Sequence, residues 1–276
     1  MVERVQSSPL ERPRRARESS RDFLHLIPMI VVAVAFVGVW ELVFRLGIWP
    51  PFLFPGPGAV ANSLYDLWKD QVLLRAIART LTRLGVGFLI SLVLGSILAF
   101  LMVHFATFGK GIQPYVLGLQ TFPSIAWVPL SLIWFGFSEA ALLFVTIVGS
   151  LFSVTVSFAD ALRTVPPVYL KAARNMGSDG MDLILRVTVP AALPHLISAM
   201  KVGWSFAWRS LIGAEIIFAS VGLGFLVSQG GEDPKLFPQV MGTMIVILGI
   251  GVLVDRVLFS RTHEWASRRR GLIPSR

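Results

Sequence analysis

The sequence KAARNMGSDGMDLILRVTVP (residues 171–190) interrupts a chain that consists mainly of long apolar runs. An apolar stripe begins just before it and follows the i, i+3, i+4, i+7 spacing of an amphipathic helix. Its members are Tyr169, Ala172, Ala173 and Met176. Because two of these side chains are very small, the predicted helix lets a neighbouring backbone approach closely.

Local signals divide this stretch into two short helices. Pro166 and Pro167 suit a helix start, because a proline in the first turn lacks only an N–H that has no intrahelical partner. Gly177 follows the stripe where a left-handed C-terminal cap is expected. Ser178 or Asp179 can cap a second helix, which we expect to end at Pro190. We call the two short helices and the glycine turn between them, within residues 164–190, the elbow. Two interpretations stay open on pattern alone: the elbow docks on a partner protein, or it is an amphipathic loop that lies on lipid.

The composition indicates an integral membrane protein. Of the 276 residues, 54% are hydrophobic and 15% are charged, and the mean hydropathy is +0.70. A membrane-spanning helix needs about 20 predominantly apolar residues. Six windows meet that requirement: residues 26–44, 85–103, 112–137, 140–159, 193–219 and 236–254. The sequence therefore predicts an all-α polytopic membrane protein with six transmembrane helices.

The distribution of positive charge predicts the orientation. Arginines cluster before the first span and after the last, so the positive-inside tendency places both termini in the cytoplasm. We expect a disordered basic tail at residues 1–22, a transmembrane domain at 23–260 with the elbow in a cytoplasmic loop at 164–190, and a second basic tail at 261–276. The net charge of +9 favours anchoring to an anionic leaflet over nucleic-acid binding.

One basic segment does not fit this scheme. Arg75, Arg79 and Arg83 precede the second span, in a loop that would face the outside. Their spacing of four residues places them on one helical face. We therefore expect an interfacial helix that runs into the second span.

Several classes of function are disfavoured. The chain has no cysteine, which excludes disulfides, thiolate metal sites and thiol nucleophiles. Its four histidines are scattered without a spacing that gathers metal ligands or a catalytic base. No Walker A pattern occurs, so the chain cannot hydrolyse ATP by itself. We predict a non-enzymatic protein that holds no metal or cofactor.

The elbow resembles the EAA loop of permease subunits in binding-protein-dependent ABC importers. That loop has two alanines, then three residues of any type, then a glycine. Nine further residues separate the glycine from the sequence aliphatic, any residue, aliphatic, proline. The matching positions here are Ala172, Ala173, Gly177, Val187, Val189 and Pro190, and Lys171 stands where the family has a glutamate. Three further stretches are similar to permeases of nitrate, sulfonate and taurine importers: residues 52–64, 121–139 and 213–229.

This resemblance implies a type I ABC importer permease architecture in the bacterial inner membrane. It implies a homodimer, two copies of a cytoplasmic ABC ATPase and an extracytoplasmic solute-binding protein. The loop residues that it assigns to ATPase coupling are Tyr169, Lys171, Ala172, Ala173, Met176, Gly177 and Pro190. Small anions such as aliphatic sulfonates, taurine or nitrate are the implied substrates. The alternatives are a vitamin precursor (a thiamine pyrimidine or riboflavin), a secondary transporter or a membrane enzyme.

Three residues of the third predicted span are candidates for the translocation pathway. Pro123 is an interior proline, which frees a backbone carbonyl that lipid cannot satisfy. We therefore expect part of this span to face protein or water. Trp127 and Trp134 could line a gate, although packing or interface anchoring is the favoured alternative for membrane tryptophans.

Arg209 and Glu215 are further pathway candidates, because ionisable groups inside a span usually face a cavity or a partner. They lie about 120° apart around a helix, which disfavours a direct pair. Arg209 could attract an anionic substrate. The favoured alternative is a structural pairing with a second permease copy or snorkelling towards an interface.

Overall fold

The computed structural model describes residues 18–260, and within that range all regular secondary structure is helical. The first helix, α1 (Glu18–Arg45), contains the first predicted span. It also includes the last residues of the predicted tail 1–22; residues 1–17 and the predicted tail 261–276 lie outside the described residues. The chain divides into two compact units, Met1–Ala59 and Val60–Arg276. Within the first unit, the Trp40 indole N–H donates to the Pro55 carbonyl at 3.0 Å.

Helices α2 to α11 follow along the chain. They are α2 (Pro57–Lys69), α3 (Val72–His104), α4 (Ala106–Thr121), α5 (Val128–Phe135), α6 (Glu139–Arg163), α7 (Pro167–Asn175), α8 (Gly180–Leu183), α9 (Val189–Phe218), α10 (Leu223–Glu232) and α11 (Phe237–Val254). In the described part of the chain, four helical segments are long and apolar enough to span a membrane: Val72–His104, Glu139–Arg163, Gly180–Phe218 and Pro234–Val257. The bent pair Ala106–Thr121 and Ser124–Phe135 makes a fifth if its two arms are counted as one span. The count of six spans stays a prediction.

The prediction of one continuous span at residues 112–137 is wrong. Helix α4 ends at Thr121, a 3₁₀ turn covers Ser124–Trp127, and the chain bends by 95° before α5. Pro123 explains the break, because its ring disfavours helical dihedrals at the residue before it. Phe122 is accordingly extended, with φ −67° and ψ 129°.

Helix α6 packs against both α3 and α9. Small residues allow this close approach: a Cβ atom added to Gly95 of α3 would lie 2.7 Å from the Val154 Cγ1 of α6. A Cβ atom added to Gly203 of α9 would overlap the other methyl group of Val154, Cγ2. Because hydrophobicity does not drive helices together in lipid, such small-residue contacts are the expected means of association. The three helices therefore form one close-packed core.

Candidate functional site

The elbow is fixed to the core at both ends. It joins the end of α6 to the beginning of α9, where a buried apolar cluster forms between the two helices. The cluster consists of Ala161, Val165, Ala192, Leu196 and Ala199, with Leu170 of α7 packed against it. The side chain of Ala173 is also buried. Movement of α7 is therefore coupled to two long helices.

Gly177 makes the sharp turn after α7. Its φ is +84°, in the left-handed region that an L side chain rarely adopts. The Ser178 N–H donates to the Ala173 carbonyl at 3.0 Å, and the Gly177 N–H donates to the Arg174 carbonyl at 2.9 Å. These are the two hydrogen bonds of a Schellman motif. The predicted glycine cap is confirmed.

The prediction that the second helix ends at Pro190 is wrong. Helix α8 passes through a π-helical segment, Ile184–Thr188, directly into α9, and Pro190 lies in the first turn of α9. The π segment has i→i+5 hydrogen bonds. The helical chain therefore continues past Pro190, although Pro190 has no N–H to donate. Before α8, the Ser178 hydroxyl donates to Asp182 Oδ2 at 2.7 Å, while the Asp179 side chain makes no capping bond.

Most of the predicted apolar stripe faces outward. Tyr169 is 57% exposed and Met176 is 82% exposed, while Ala172 and Lys171 are also exposed. Further exposed apolar side chains extend along the elbow. We call the following set the elbow surface: Val168, Tyr169, Met176, Met181 and Leu185. Clustered exposed apolar side chains on a rigid element indicate an interaction site.

An ion-pair network links the three core helices on the side away from the elbow; two of its side chains are buried, and the third, Glu139, is 56% exposed. Arg83 of α3 donates through Nε and Nη2 to the two carboxylate oxygens of Glu139, each at 2.6 Å. Its Nη1 donates to Glu215 Oε1 of α9 at 2.8 Å. The Arg83 side chain is 6% exposed and that of Glu215 is fully buried. One guanidinium therefore joins the first half of α3 to the start of α6 and the end of α9.

The segment after α9 completes the shell around Glu215. The Thr80 hydroxyl donates to its carboxylate at 2.8 Å, and the Gly224 N–H donates at 3.1 Å. The Leu223 N–H in turn donates to the Thr80 hydroxyl at 2.9 Å. At Gly222, an added Cβ would overlap the Glu215 carboxylate. The network explains Glu215, Gly222 and Gly224 of the stretch at residues 213–229.

Sequence reasoning identified Glu215 but missed its partners. Arg83 was assigned to an interfacial face with Arg75 and Arg79, and neither Thr80 nor Glu139 was singled out. Arg75 and Arg79 are exposed in the structure, whereas Arg83 is buried. The available clue was that Arg83 borders the apolar run of the second span. A charge in that position requires a countercharge from another helix.

The other pathway candidates are not gathered around one point. Pro123 marks the break between α4 and α5, and Trp127 packs against a core cluster that contains Val128. Trp134 is exposed, with its ring centroid 5.5 Å from that of Phe144. Their role in a pathway, and that of Arg209 and Glu215, stays a prediction.

Arg209 does not join the ion-pair network. Its Nε donates to the Ser205 carbonyl at 3.2 Å, and its guanidinium carbon lies 4.6 Å from the centre of the Phe206 ring. Both contacts are within its own helix, α9. The guanidinium lines a groove between α9 and α11.

Comparison with known proteins gives consistent matches. A sequence profile described as "Binding-protein-dependent transport system inner membrane component" matches residues 91–270. The chain is 26% identical to the nitrate import permease protein NrtB of Leptolyngbya laminosa over 276 residues, covering 91% of this chain and 95% of that protein. It is 27% identical to the taurine transport system permease protein TauC of Escherichia coli K12 over 220 residues, covering 78% of each.

The fold also matches a solved structure. A chain of the MetNI methionine ABC transporter, in an inward-facing conformation, aligns with a TM-score of 0.63 and 18% sequence identity. The alignment covers 71% of this chain and 96% of that one. At this level of identity the likeness establishes a shared fold.

Proposed function

We propose, from the premise that this chain belongs to the family of binding-protein-dependent transport system inner membrane components, that it forms the membrane pathway for a small anion. Aliphatic sulfonates, taurine and nitrate are the proposed substrates. The names of two relatives, a nitrate import permease and a taurine transport system permease, support this choice. The chain is thus a permease subunit of an ABC importer, and its substrate class is the proposal.

The energy for transport comes from a separate subunit in this proposal. The chain has no Walker A sequence to cradle nucleotide phosphates. Two copies of a cytoplasmic ABC ATPase, two copies of this permease and an extracytoplasmic solute-binding protein make up the proposed assembly. Both permease termini and the elbow then face the cytoplasm of a bacterial cell.

The elbow is the proposed ATPase contact. A lever needs a rigid body, fixed ends and a surface that fits its partner. The Schellman turn at Gly177 supports the first requirement, the cluster at the ends of α6 and α9 supports the second, and the elbow surface supports the third. The proposed coupling residues are Tyr169, Lys171, Ala172, Ala173, Met176, Gly177 and Pro190. The exposure of Tyr169 and Met176 on an anchored helix is the observation that carries this proposal.

Pro123, Trp127, Trp134, Arg209 and Glu215 remain the proposed pathway residues. The break at Pro123 supports this, because a non-helical backbone at membrane depth is tolerated where it faces protein or a water-filled cavity. In this structure Glu215 is sealed inside the ion-pair network, so any exposure of its carboxylate requires another conformation.

Reconstituted uptake tests the proposed function. The permease is incorporated into proteoliposomes with its ATPase and binding protein, and uptake of taurine, nitrate and butanesulfonate is measured with and without ATP. We expect uptake of at least one of these anions that requires ATP, the ATPase and the binding protein. Uptake driven by an ion gradient alone, or ATP-driven uptake only of a thiamine pyrimidine or riboflavin, would overturn the proposal.

A further inference from the structure

The groove between α9 and α11 has a volume of about 600 Å³. Its walls are mainly apolar and aromatic: Trp204, Trp208 and Ile212 come from α9, and Ile247, Leu248 and Val252 from α11. This volume lies in the range of small-molecule sites, which combine apolar walls with a few polar groups that fix orientation. Arg209 supplies a charged group inside this groove.

Arg209 lies between two ion-paired residues of α9, Lys201 and Glu215. Towards the elbow, Lys201 Nζ contacts Asp255 Oδ1 at 2.7 Å; towards the other end, Glu215 pairs with Arg83. At 1.5 Å per residue, Arg209 lies about 12 Å from the level of Lys201 and about 9 Å from that of Glu215. Arg209 therefore lies well inside a helical segment that is long and apolar enough to span a membrane, where a charge is costly without an anionic partner.

Among the described residues Arg209 forms no ion pair, and Asp255, the carboxylate that lines the same groove, is paired with Lys201. Between Lys201 and Glu215, α9 has no other Asp or Glu, and the sequence of α11 has none. The carboxylates of α6, Glu139 and Asp160, lie near its two ends.

We propose that this groove binds the transported anion, with Arg209 as the ligand of its anionic head and the walls around Trp208 as the site of an alkyl tail. This inference rests on the proposed function and narrows the substrate to organic anions with an apolar part. The guanidinium presents several N–H donors in a plane, which suits the oxygen atoms of a sulfonate. A groove of this size exceeds what nitrate alone would fill.

Binding of a series of alkanesulfonates tests the proposal. The assembled importer in nanodiscs, without binding protein, is titrated with methane-, propane- and pentanesulfonate and with nitrate. Because burying one CH₂ group contributes about 0.8 kcal/mol, the Kd should fall about fourfold per added methylene. The Arg209→Gln variant should raise every Kd about tenfold, because it removes a charge-assisted hydrogen bond, and keep the dependence on chain length.

Two glycines of α11 provide a matched pair of variants. Gly251 lines the groove, and a Cβ added there would lie 3.8 Å from the Trp208 indole nitrogen, whereas a Cβ at Gly249 meets nothing within 4 Å. Gly251→Leu should abolish the gain from longer chains while methanesulfonate still binds. Gly249→Leu, which makes the same change in the same helix, should behave like the wild type. Equal behaviour of the two variants, or wild-type binding by Arg209→Gln, would overturn the inference.

Thiol labelling tests whether the groove is open in the assembly. The natural chain has no cysteine, so Leu248→Cys introduces a single thiol. We expect an anionic methanethiosulfonate reagent to modify it, and pentanesulfonate to slow that modification. A thiol that does not react would mean that a second copy fills the groove, which overturns the inference.

The same variants are also reconstituted into proteoliposomes with the ATPase and the binding protein and assayed for ATP-driven uptake, which separates the two possible failures. ATP-driven anion uptake that is unchanged by Arg209→Gln would contradict this inference and support the proposed function. Sulfonate binding in the groove without ATP-driven uptake of any anion would contradict the proposed function.

Discussion

Arg83 and Glu215 are separated by 132 residues in the sequence and form a 2.8 Å ion pair inside the helical core. The same guanidinium binds Glu139, so the network connects the first half of α3, the start of α6 and the end of α9. Helices α6 and α9 meet again at their other ends, beside the elbow. The core helices are thus fastened at one end by charge and at the other by apolar contacts.

Loss of Arg83 should destabilise the protein strongly. Removing one partner of a buried ion pair leaves an uncompensated charge and costs about 3–5 kcal/mol. We expect Arg83→Gln to lower the free energy of unfolding by about this amount, and Glu215→Gln to cost less because Arg83 keeps its bonds to Glu139. Chemical unfolding of the purified permease in detergent measures both.

A surface ion pair provides the control for this experiment. The side chain of Arg45, which is 74% exposed, pairs with Glu41 at 2.6 Å one helical turn away. Exposed pairs contribute about 0–1 kcal/mol. The structural account of Arg83 fails if Arg83→Gln lowers stability no more than Glu41→Gln does.

Gly222 should not tolerate even an alanine. Its φ of 177° is extended backbone that any residue adopts, so only space is limiting. An added Cβ would overlap the Glu215 carboxylate, and overpacking of this kind costs about 1–3 kcal/mol. Gly231→Ala is the matched control, because nothing lies within 4 Å of its added Cβ. Equal unfolding midpoints for the two variants would contradict this account.

The elbow was largely predictable because its determinants are local. A first-turn proline, an apolar stripe and a glycine in left-handed backbone act within a few residues, and the structure has Pro167 and Gly177 in these roles. The ion-pair network was not predictable in the same way. Arg83, Glu139 and Glu215 are brought together only by the association of three helices, and no short-range pattern reports that.

Two of the errors in the sequence analysis concern prolines. Pro123 was expected inside one span, but it breaks that span through its effect on Phe122. Pro190 was expected to end a helix, but it lies in the first turn of α9, after a π-helical segment. The same residue type either breaks or begins a helix according to the hydrogen bonds of the preceding turn, which the sequence does not specify.

Tyr169 should contribute to binding of the ATPase. It is 57% exposed on the anchored helix α7, and large aromatic side chains at the centre of an interface are frequent hot spots. We expect Tyr169→Ala to weaken association of the permease with its ATPase by about tenfold or more, which corresponds to a loss of more than 1 kcal/mol. Titration of purified ATPase onto permease in nanodiscs measures this.

Tyr65 is the control for that substitution. It is 67% exposed on α2, outside the elbow, and Tyr65→Ala makes the same chemical change. ATPase affinity should match the wild type in this variant. If Tyr169→Ala and Tyr65→Ala bind the ATPase equally well, the elbow surface is not the docking site that we propose.

Gly177 should be essential for coupling and dispensable for membrane insertion. Its φ of +84° costs an L residue about 1–2 kcal/mol, and a β-branched side chain is the least suited to it. We expect Gly177→Val to insert and assemble but to lose most ATP-driven uptake, because the turn reorganises and α7 no longer follows the ATPase. Asparagine adopts left-handed backbone more readily than other residues, so Gly177→Asn should retain much of the uptake. Uptake per assembled complex and the ATPase rate, measured together, distinguish uncoupling from loss of assembly. Wild-type uptake by Gly177→Val would show that the left-handed turn does not transmit force.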